Sequence, residues 1–512
     1  IKHIFKILTN MINFFNNKYY KIFLFRYVCN TIMENNTINI LVIFGATGDL
    51  ANRKIYPALN EIYKSDKLPE NFKIIGCGRK EVKENIFNEL QSNLAFNCDY
   101  IKLDPTIEDD YKLLSKKLND YNNTTTTLNV IFYLSTPPRA YKPIIDNLIN
   151  NKLNIEGSGY RRIIIEKPFG RNLESAKKLN NILTSGFKEN QIFRIDHYLG
   201  KETVQNILVS RFTNLIFNAL WSKDFISYIE ITAAESIGIK GRGEYYDNSG
   251  AIRDMFQNHL LELLCLVSME EPDKNSSESI RNEKIKVLKN IKKLNFEDDI
   301  IRGQYMASET KSKKFKSYTE NKGVDKNSKT ETFFACKLFI DNERWKDIPF
   351  FIRTGKRLPT KVTEIVVNFK KNINVFSPNN ETNMLIFRLQ PDEGMLVKFN
   401  LKSPGNKSAI INKNLEFHYK NLGKDVIDDA YETLILDVFE GNTMLFSRSD
   451  FVEKAWEIVD PIINEIEKNN IKLYGYKAGT WGPTKCNDLF RNENTWRYPC
   501  KNLVNDGETC EL

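Results

Sequence analysis

From residue 38 to about residue 195, apolar runs of strand length alternate with amphipathic stretches of helix length. The spacing predicts strands over 38–44, 73–77, 100–103, 128–135, 161–166 and 191–194, with helices such as 50–63 and 173–183 between them. Repeated strand–helix–strand units imply a doubly wound parallel sheet. After residue 200 strand-like segments follow one another, over 225–233, 332–340, 363–369, 383–390, 395–401 and 415–419, with helices at 252–267, 429–439 and 450–466. That succession predicts an α+β domain with a large, mostly antiparallel sheet. The expected division is an extension over 1–32, a first domain over 33–200 and a second over 201–512. Within these, 122–127 is a polar loop, and 272–278 and the Lys-rich 308–329 read as mobile surface loops.

Composition narrows the function classes. The 512 residues are 41% hydrophobic and 12% aromatic, enough for real cores and unlike a disordered or fibrous chain. No stretch has the roughly 18 apolar residues that a spanning helix needs. Eight scattered cysteines without a C-x-x-C pair, and only four histidines, argue against a metal cluster and for free thiols in a reducing, cytoplasmic compartment. Of the net charge of +9, five charges fall in residues 1–32, which contain no acid, so the remainder carries no charge excess suited to nucleic acid. The same 32 residues fit neither a signal nor a transit peptide well. They read as an extension ahead of a start at Met33, with organelle targeting as the weaker alternative.

The first predicted strand runs into Gly45-Ala46-Thr47-Gly48-Asp49-Leu50-Ala51 and then a helix. Glycines at such a turn let the backbone approach a pyrophosphate, and the helix N-terminus offers it unpaired N–H groups, the mark of a Rossmann-type dinucleotide site. The second strand ends in Cys77-Gly78-Arg79-Lys80 rather than in an acid. Cations there attract a ribose 2′-phosphate, which favours NADP over NAD. A plain strand–helix turn followed by two solvated cations is the competing reading.

Three further clusters carry polar chemistry. Glu166-Lys167-Pro168-Phe169-Gly170 closes a buried strand at the end where ligands of open α/β sheets bind, although Lys-Pro also simply ends strands. In Arg194–Glu202, His197 and Lys201 lie four apart, and Val204, Ile207, Leu208 and Phe212 mark the buried stripe of a helix. The pair is expected on one face of that helix's first turn, with Tyr198 adding a donor for a phosphate. Standing alone, the cluster also reads as a solvated cap. His259 falls on the apolar stripe of the helix over 252–267. A buried imidazole there is either a satisfied core group or a general base. Asp254 is five residues earlier, about 140° around an α-helix, so the carboxylate that orients His259 is expected from elsewhere.

Read in order, GATGDLANRK at 45–54, EKPFGR at 166–171, RIDHYLGKE at 194–202, RDMFQNHL at 253–260 and Arg353-Thr354-Gly355-Lys356 resemble the glucose-6-phosphate dehydrogenase family over about residues 38–483. The resemblance implies that His259 is the general base for the C1 hydroxyl and that Asp196 supports it. It implies phosphate contacts from His197, Tyr198, Lys201 and Lys361, sugar-hydroxyl contacts from Glu235, Asp254 and Lys356, and Lys167 between substrate and cofactor. It implies NADP held by Gly45, Thr47, Gly48, Asp49, Leu50 and Arg79, no metal, a second-domain sheet of about nine strands, and a homodimer or homotetramer. Arg388, Gln390 and Lys398 match a second, structural NADP site of some members, but Leu396 and Trp481 stand where Tyr and Arg are expected, so that site is not implied here. The rival readings are another Rossmann-type sugar oxidoreductase and a non-catalytic NADP sensor.

Overall fold

The computed structural model describes residues 36–81, 98–122, 125–309, 314–371, 382–405, 410–422, 429–468, 470–491 and 494–504. Cys29, Cys510 and the extension over 1–32 lie outside them, while the other six cysteines are buried and form no disulfide among the described residues. The chain forms two compact units. The first holds residues up to Glu166 together with Asn181–Arg194 and Ile435–Gly441, and the second holds the rest. Two late residues explain why the last of these segments joins the first unit: Arg162 donates to the carbonyls of Val438 and Phe439, and Phe72 meets Phe439 edge-on at 5.5 Å.

In the first unit β1 (Thr37–Phe44), β2 (Phe72–Gly78), β3 (Cys98–Lys102), β4 (Thr127–Leu134), β5 (Arg161–Ile165) and β6 (Ile192–Arg194) form a parallel sheet in the order β3-β2-β1-β4-β5-β6. β1 and β4 are apolar almost throughout because helices cover both faces of a doubly wound sheet. The order reverses beside β1, so the carboxyl ends of β1 and β4 open a ligand crevice. The helix after β1 is less regular than predicted. Ala51–Ile55 is a π-helical turn, and α-helix continues over Tyr56–Lys64.

The second unit is built on a nine-stranded sheet. Its strands are β7 (Ile226–Glu235), β8 (Ile300–Met306), β11 (Phe333–Phe339), β12 (Pro349–Lys356), β13 (Val362–Phe369), β14 (Met384–Gln390), β15 (Gly394–Lys402), β16 (Ile410–His418) and β17 (Leu473–Lys477). A separate two-residue pair, β9 (Ser308–Glu309) and β10 (Lys314–Phe315), lies between β8 and β11 in the chain. The order is β16-β15-β14-β13-β7-β12-β11-β8-β17, and only the pairs β12/β7 and β17/β8 are parallel.

β8, β12 and β17 were not legible as strands, nor was the helix Ser277–Lys289, whose hydroxyl N-cap Ser276 accepts from the Ser279 N–H. The 308–329 segment, read as a mobile loop, is anchored where it is described: Phe315 and Tyr318 are buried, and Tyr318 donates to Asp247.

Candidate active site

A cavity of about 400 Å³ lies in the first unit at the carboxyl ends of β1, β2 and β4. Gly45, Thr47, Gly48 and Arg79 line it, with Lys80 and Arg139. Gly45 has φ +82°, and a Cβ on it would stand 2.4 Å from the Ser135 carbonyl oxygen, so only glycine leaves this cradle open. Ser135 Oγ and Thr136 Oγ1, also in the lining, are buried without hydrogen-bond partners. Buried hydroxyls left in that state fit a polar ligand that completes them. Three cations against the single carboxylate Asp104 give the wall the sign a phosphorylated cofactor needs. Asp49 and Leu50 are not in the lining; Asp49 instead pairs with Arg53 at 2.7 Å in solvent. Ser135, Thr136 and Arg139 were missed by the sequence reading. Only their position after β4, the strand beside β1, could have pointed to them.

In the second unit His259 is fully buried and held from both ring nitrogens. Its Nδ1 lies 2.5 Å from Asp196 Oδ1, and its Nε2 lies 2.5 Å from Lys167 Nζ. Lys167 follows β5 and makes a cis peptide bond with Pro168, and Asp196 lies two residues past β6. An ammonium has only protons to offer, so Nε2 is the acceptor, and Nδ1–H donates to Asp196. Tyr198 stacks on the imidazole at 4.1 Å between centroids, His197 meets it edge-on at 4.7 Å, and the Tyr198 N–H donates to Asp196 Oδ1 at 2.9 Å.

Burial pushes His259 below its ordinary value of 6.5, Asp196 pulls it back up, and Lys167 pushes it further down. Burial alone would raise Asp196, but the adjoining His259, Lys167 and His197 hold it well below the carboxylate range. The site therefore keeps a neutral imidazole beside a fixed carboxylate near neutral pH, the combination a general base requires.

The carboxylate bonded to the ring comes from elsewhere than Asp254, as expected, but the helix geometry behind that expectation differs. Ile252–Leu260 is π-helical, with i→i+5 backbone bonds and a wider turn, so residues five apart are offset by less than the roughly 140° of an α-helix. Asp254 thus shares the His259 side of the helix, although Asp196 is the carboxylate bonded to the ring.

The expected helical phosphate face also changes. The helix runs Glu202–Thr213 with Lys201 as its N-cap, so His197–Gly200 precede it in turns. Burial first, then the neighbouring His259 ring and the Lys167 and Lys201 ammoniums, hold His197 well below its ordinary value against the pull of Asp196, so it offers a neutral N–H donor rather than a charge. The Lys201 ammonium bonds Gln390 Oε1, and Gln390 Nε2 donates to Thr363 Oγ1. Lys356 and Glu235 are paired in register across β12 and β7, and their side chains form an ion pair. Lys361 is exposed just ahead of β13 and is not drawn into this network.

Asp196, His197 and His259 also place one ligand atom each within 4.8 Å of one another, the spacing of a cation site. The Lys167 ammonium beside His259 opposes a cation there.

Family comparison decides what this arrangement belongs to. The model for "Glucose-6-phosphate dehydrogenase, NAD binding domain" matches residues 42–206, and the model for "Glucose-6-phosphate dehydrogenase, C-terminal domain" matches 208–497. The chain belongs to the glucose-6-phosphate dehydrogenase family. It is 45% identical over 480 residues to the glucose-6-phosphate 1-dehydrogenase of Aggregatibacter actinomycetemcomitans, covering 90% of this chain and 97% of that one. To that of Treponema pallidum it is 42% identical, covering 93% and 98%. Among solved structures, a glucose-6-phosphate dehydrogenase in complex with its substrate glucose-6-phosphate superposes with a TM-score of 0.83 at 33% identity, over 90% of this chain and 98% of that chain. The Mycobacterium avium enzyme gives 0.77 at 32%. Membership accounts for the six-stranded parallel sheet and the nine-stranded mixed sheet found here.

Two of the three residues matching a structural NADP site in some members, Arg388 and Gln390, are otherwise engaged. Arg388 donates to Glu364 and to the carbonyls of Cys500 and Lys501, and Gln390 is committed to Lys201 and Thr363.

Proposed function

We propose that this chain oxidises D-glucose 6-phosphate at C1 to 6-phosphoglucono-1,5-lactone in the cytoplasm as a homodimer or homotetramer, the first oxidative step of the pentose phosphate pathway. The observation that carries the reading is the buried line Asp196–His259–Lys167, a polarised base whose acceptor nitrogen is held by an exchangeable ammonium donor. NADP, when bound, supplies the acceptor for the C1 hydride. Gly45, Thr47, Gly48, Ser135 and Thr136, which line the first unit's cavity, would hold it, and Arg79 and Lys80 in the same lining would attract its 2′-phosphate.

The C1 hydroxyl takes the place of the Lys167 N–H at His259 Nε2 and gives its proton to that nitrogen. The resulting imidazolium faces Asp196, which is already ionised and needs no reorganisation. Lys167, displaced from the ring, remains a donor to the sugar oxygen. His197, Tyr198 and Lys201 hold the 6-phosphate, so that binding energy from the far end of the sugar fixes C1 at the base. Glu235, Lys356 and Asp254 contact the sugar hydroxyls.

An initial-rate assay at the absorbance of reduced nicotinamide, crossing NADP with NAD and glucose 6-phosphate with glucose, tests the reading. Turnover is expected chiefly for the doubly phosphorylated pair. Equal rates with free glucose point to another sugar oxidoreductase, and cofactor binding without turnover points to a sensor.

A further inference from the structure

Four adjacent strands, β14, β13, β7 and β12, bury one charged residue each on a single face: Arg388, Glu364, Glu230 and Arg353, all at most 2% exposed. Glu364 sits opposite Arg388, and Thr232 sits opposite both Glu364 and Arg353, so these positions are lateral neighbours. The C-terminal segment over 494–504 crosses all four. The Arg497 backbone N–H donates to Glu230 at 2.9 Å, its carbonyl accepts from Arg353, and its guanidinium donates to Glu364 at 3.1 Å. Farther along, the carbonyls of Cys500 and Lys501 accept from Arg388 at 3.2 and 3.1 Å, and the Leu503 N–H donates to Asp392 at 2.8 Å. The Arg353 guanidinium lies over the rings of Trp481, Trp496 and Tyr498, at 4.8, 4.5 and 5.4 Å. Leu503 is fully buried against Val366, Ile386 and Leu396.

These strands end in the substrate side of the site. Beyond its buried charge β7 continues from Glu230 to its end at Glu235, β12 from Arg353 to its end at Lys356 and β14 from Arg388 to its end at Gln390, while Thr363 is the second residue of β13. Along β7 and β12 the step from buried charge to site residue is an odd number, so the segment and the Glu235–Lys356 pair lie on opposite faces of one sheet.

We propose that the C-terminal segment is a clasp that positions the sugar-binding strand ends from the far side of the sheet, with Arg497 its central positioning residue. The inference rests on the glucose 6-phosphate reading above. Arg497 touches no reacting group. It acts by fixing the lateral spacing of β13, β7 and β12, and hence of Thr363, Glu235 and Lys356. The matched family region stops at residue 497, so the outer half of the clasp lies beyond it.

The test compares full-length Arg497→Ala and Arg497→Lys with the unaltered protein, by steady-state kinetics and by amide hydrogen exchange at the ends of β7, β12, β13 and β14. Arg497→Ala is expected to raise KM for glucose 6-phosphate roughly 3- to 30-fold, the range of coupling through a packed network. Its kcat and its KM for NADP should stay within about threefold of the original, exchange at the strand ends should accelerate, and Arg497→Lys should fall between. Unchanged KM and exchange overturn the clasp. A fall in kcat with both KM values unchanged overturns it too, since that is simply loss of folded protein. If Arg497→Ala does not fold, the same split in Arg497→Lys decides. If the unaltered protein does not turn over glucose 6-phosphate, the functional reading falls, and the exchange data alone decide the clasp.

Discussion

In the first unit the cofactor cradle is made of backbone and space: a glycine at φ +82°, two orphaned hydroxyls and cations standing at the wall of a 400 Å³ cavity. In the second unit the proposed catalytic cluster is made of side chains already bonded to one another, Asp196 with His259, His259 with Lys167, Lys201 with Gln390 and Glu235 with Lys356, and only the second Asp196 oxygen among these is buried without a partner. The contrast follows from what each half must do. A dinucleotide is recognised by shape and by its phosphates, so the protein keeps donors unspent. A base must be poised before the substrate arrives, so its charges are buried and paired, and substrate binding exchanges one partner for another. Substitutions should accordingly act on affinity for the cofactor in the first unit and on rate or sugar binding in the second.

Apart from the base itself, the largest expected effect is on Asp196. Asp196→Asn leaves the shape but removes the charge that orders the His259 tautomer, so kcat should fall by about 10³ or more while the fold, read by circular dichroism, persists. In the unaltered protein kcat/KM should decline on acidification only below pH 6.5, because burial lowers His259 and the base is lost when it protonates. A limb well above 6.5 would assign the titration to another group.

Next comes Lys201→Ala, which removes the one ammonium at the helix start. A charged hydrogen bond of about 1.5–3 kcal/mol corresponds to a loss of roughly 10- to 150-fold in kcat/KM for glucose 6-phosphate. Free glucose should be affected far less, so the ratio of the two substrates is the quantity to measure. If both fall together, Lys201 is structural, and the exposed Lys361 becomes the candidate.

Arg79→Ala is expected to raise KM for NADP about tenfold, one charged contact, with little change for NAD. Equal losses for the two cofactors would move the 2′-phosphate to Lys80 or Arg139. Ser135→Ala should be milder, a few-fold in NADP affinity by fluorescence titration, since it removes one neutral hydrogen bond.

The smallest effect concerns the buried carboxylate under the C-terminal segment. Burial raises Glu230 to about 7, with Arg353 and the Arg497 N–H opposing. A group raised in the folded state contributes stability below its unfolded value, and that contribution is lost as pH rises through the folded value. The melting temperature should therefore drop between pH 5 and 8 by a few degrees more in the original protein than in Glu230→Gln. Parallel profiles would remove Glu230 from this account.

How much of this was readable beforehand depended on range. The parallel sheet was legible because each strand is a compact apolar run beside an amphipathic helix, and the glycine turn announced its own backbone requirement. β12 escaped because Arg353 interrupts its apolar run, and that charge makes sense only once Trp481, Trp496 and Tyr498 surround it. His259 was found from its position on an apolar stripe. Its orientation and the phase of Asp254 were not, because a π-helical segment leaves no mark in hydrophobic spacing. Lys201–Gln390 and Glu235–Lys356 pair residues 189 and 121 positions apart, distances over which local pattern carries no information.

The central claim is that His259 takes the C1 proton of glucose 6-phosphate. The most direct measurement is single-turnover reduction of NADP by His259→Asn, with glucose 6-phosphate affinity determined on the same sample by calorimetry. The account expects affinity close to that of the unaltered protein and a reduction rate lower by roughly 10² to 10⁴. A rate near that of the unaltered protein, with substrate bound, would contradict it.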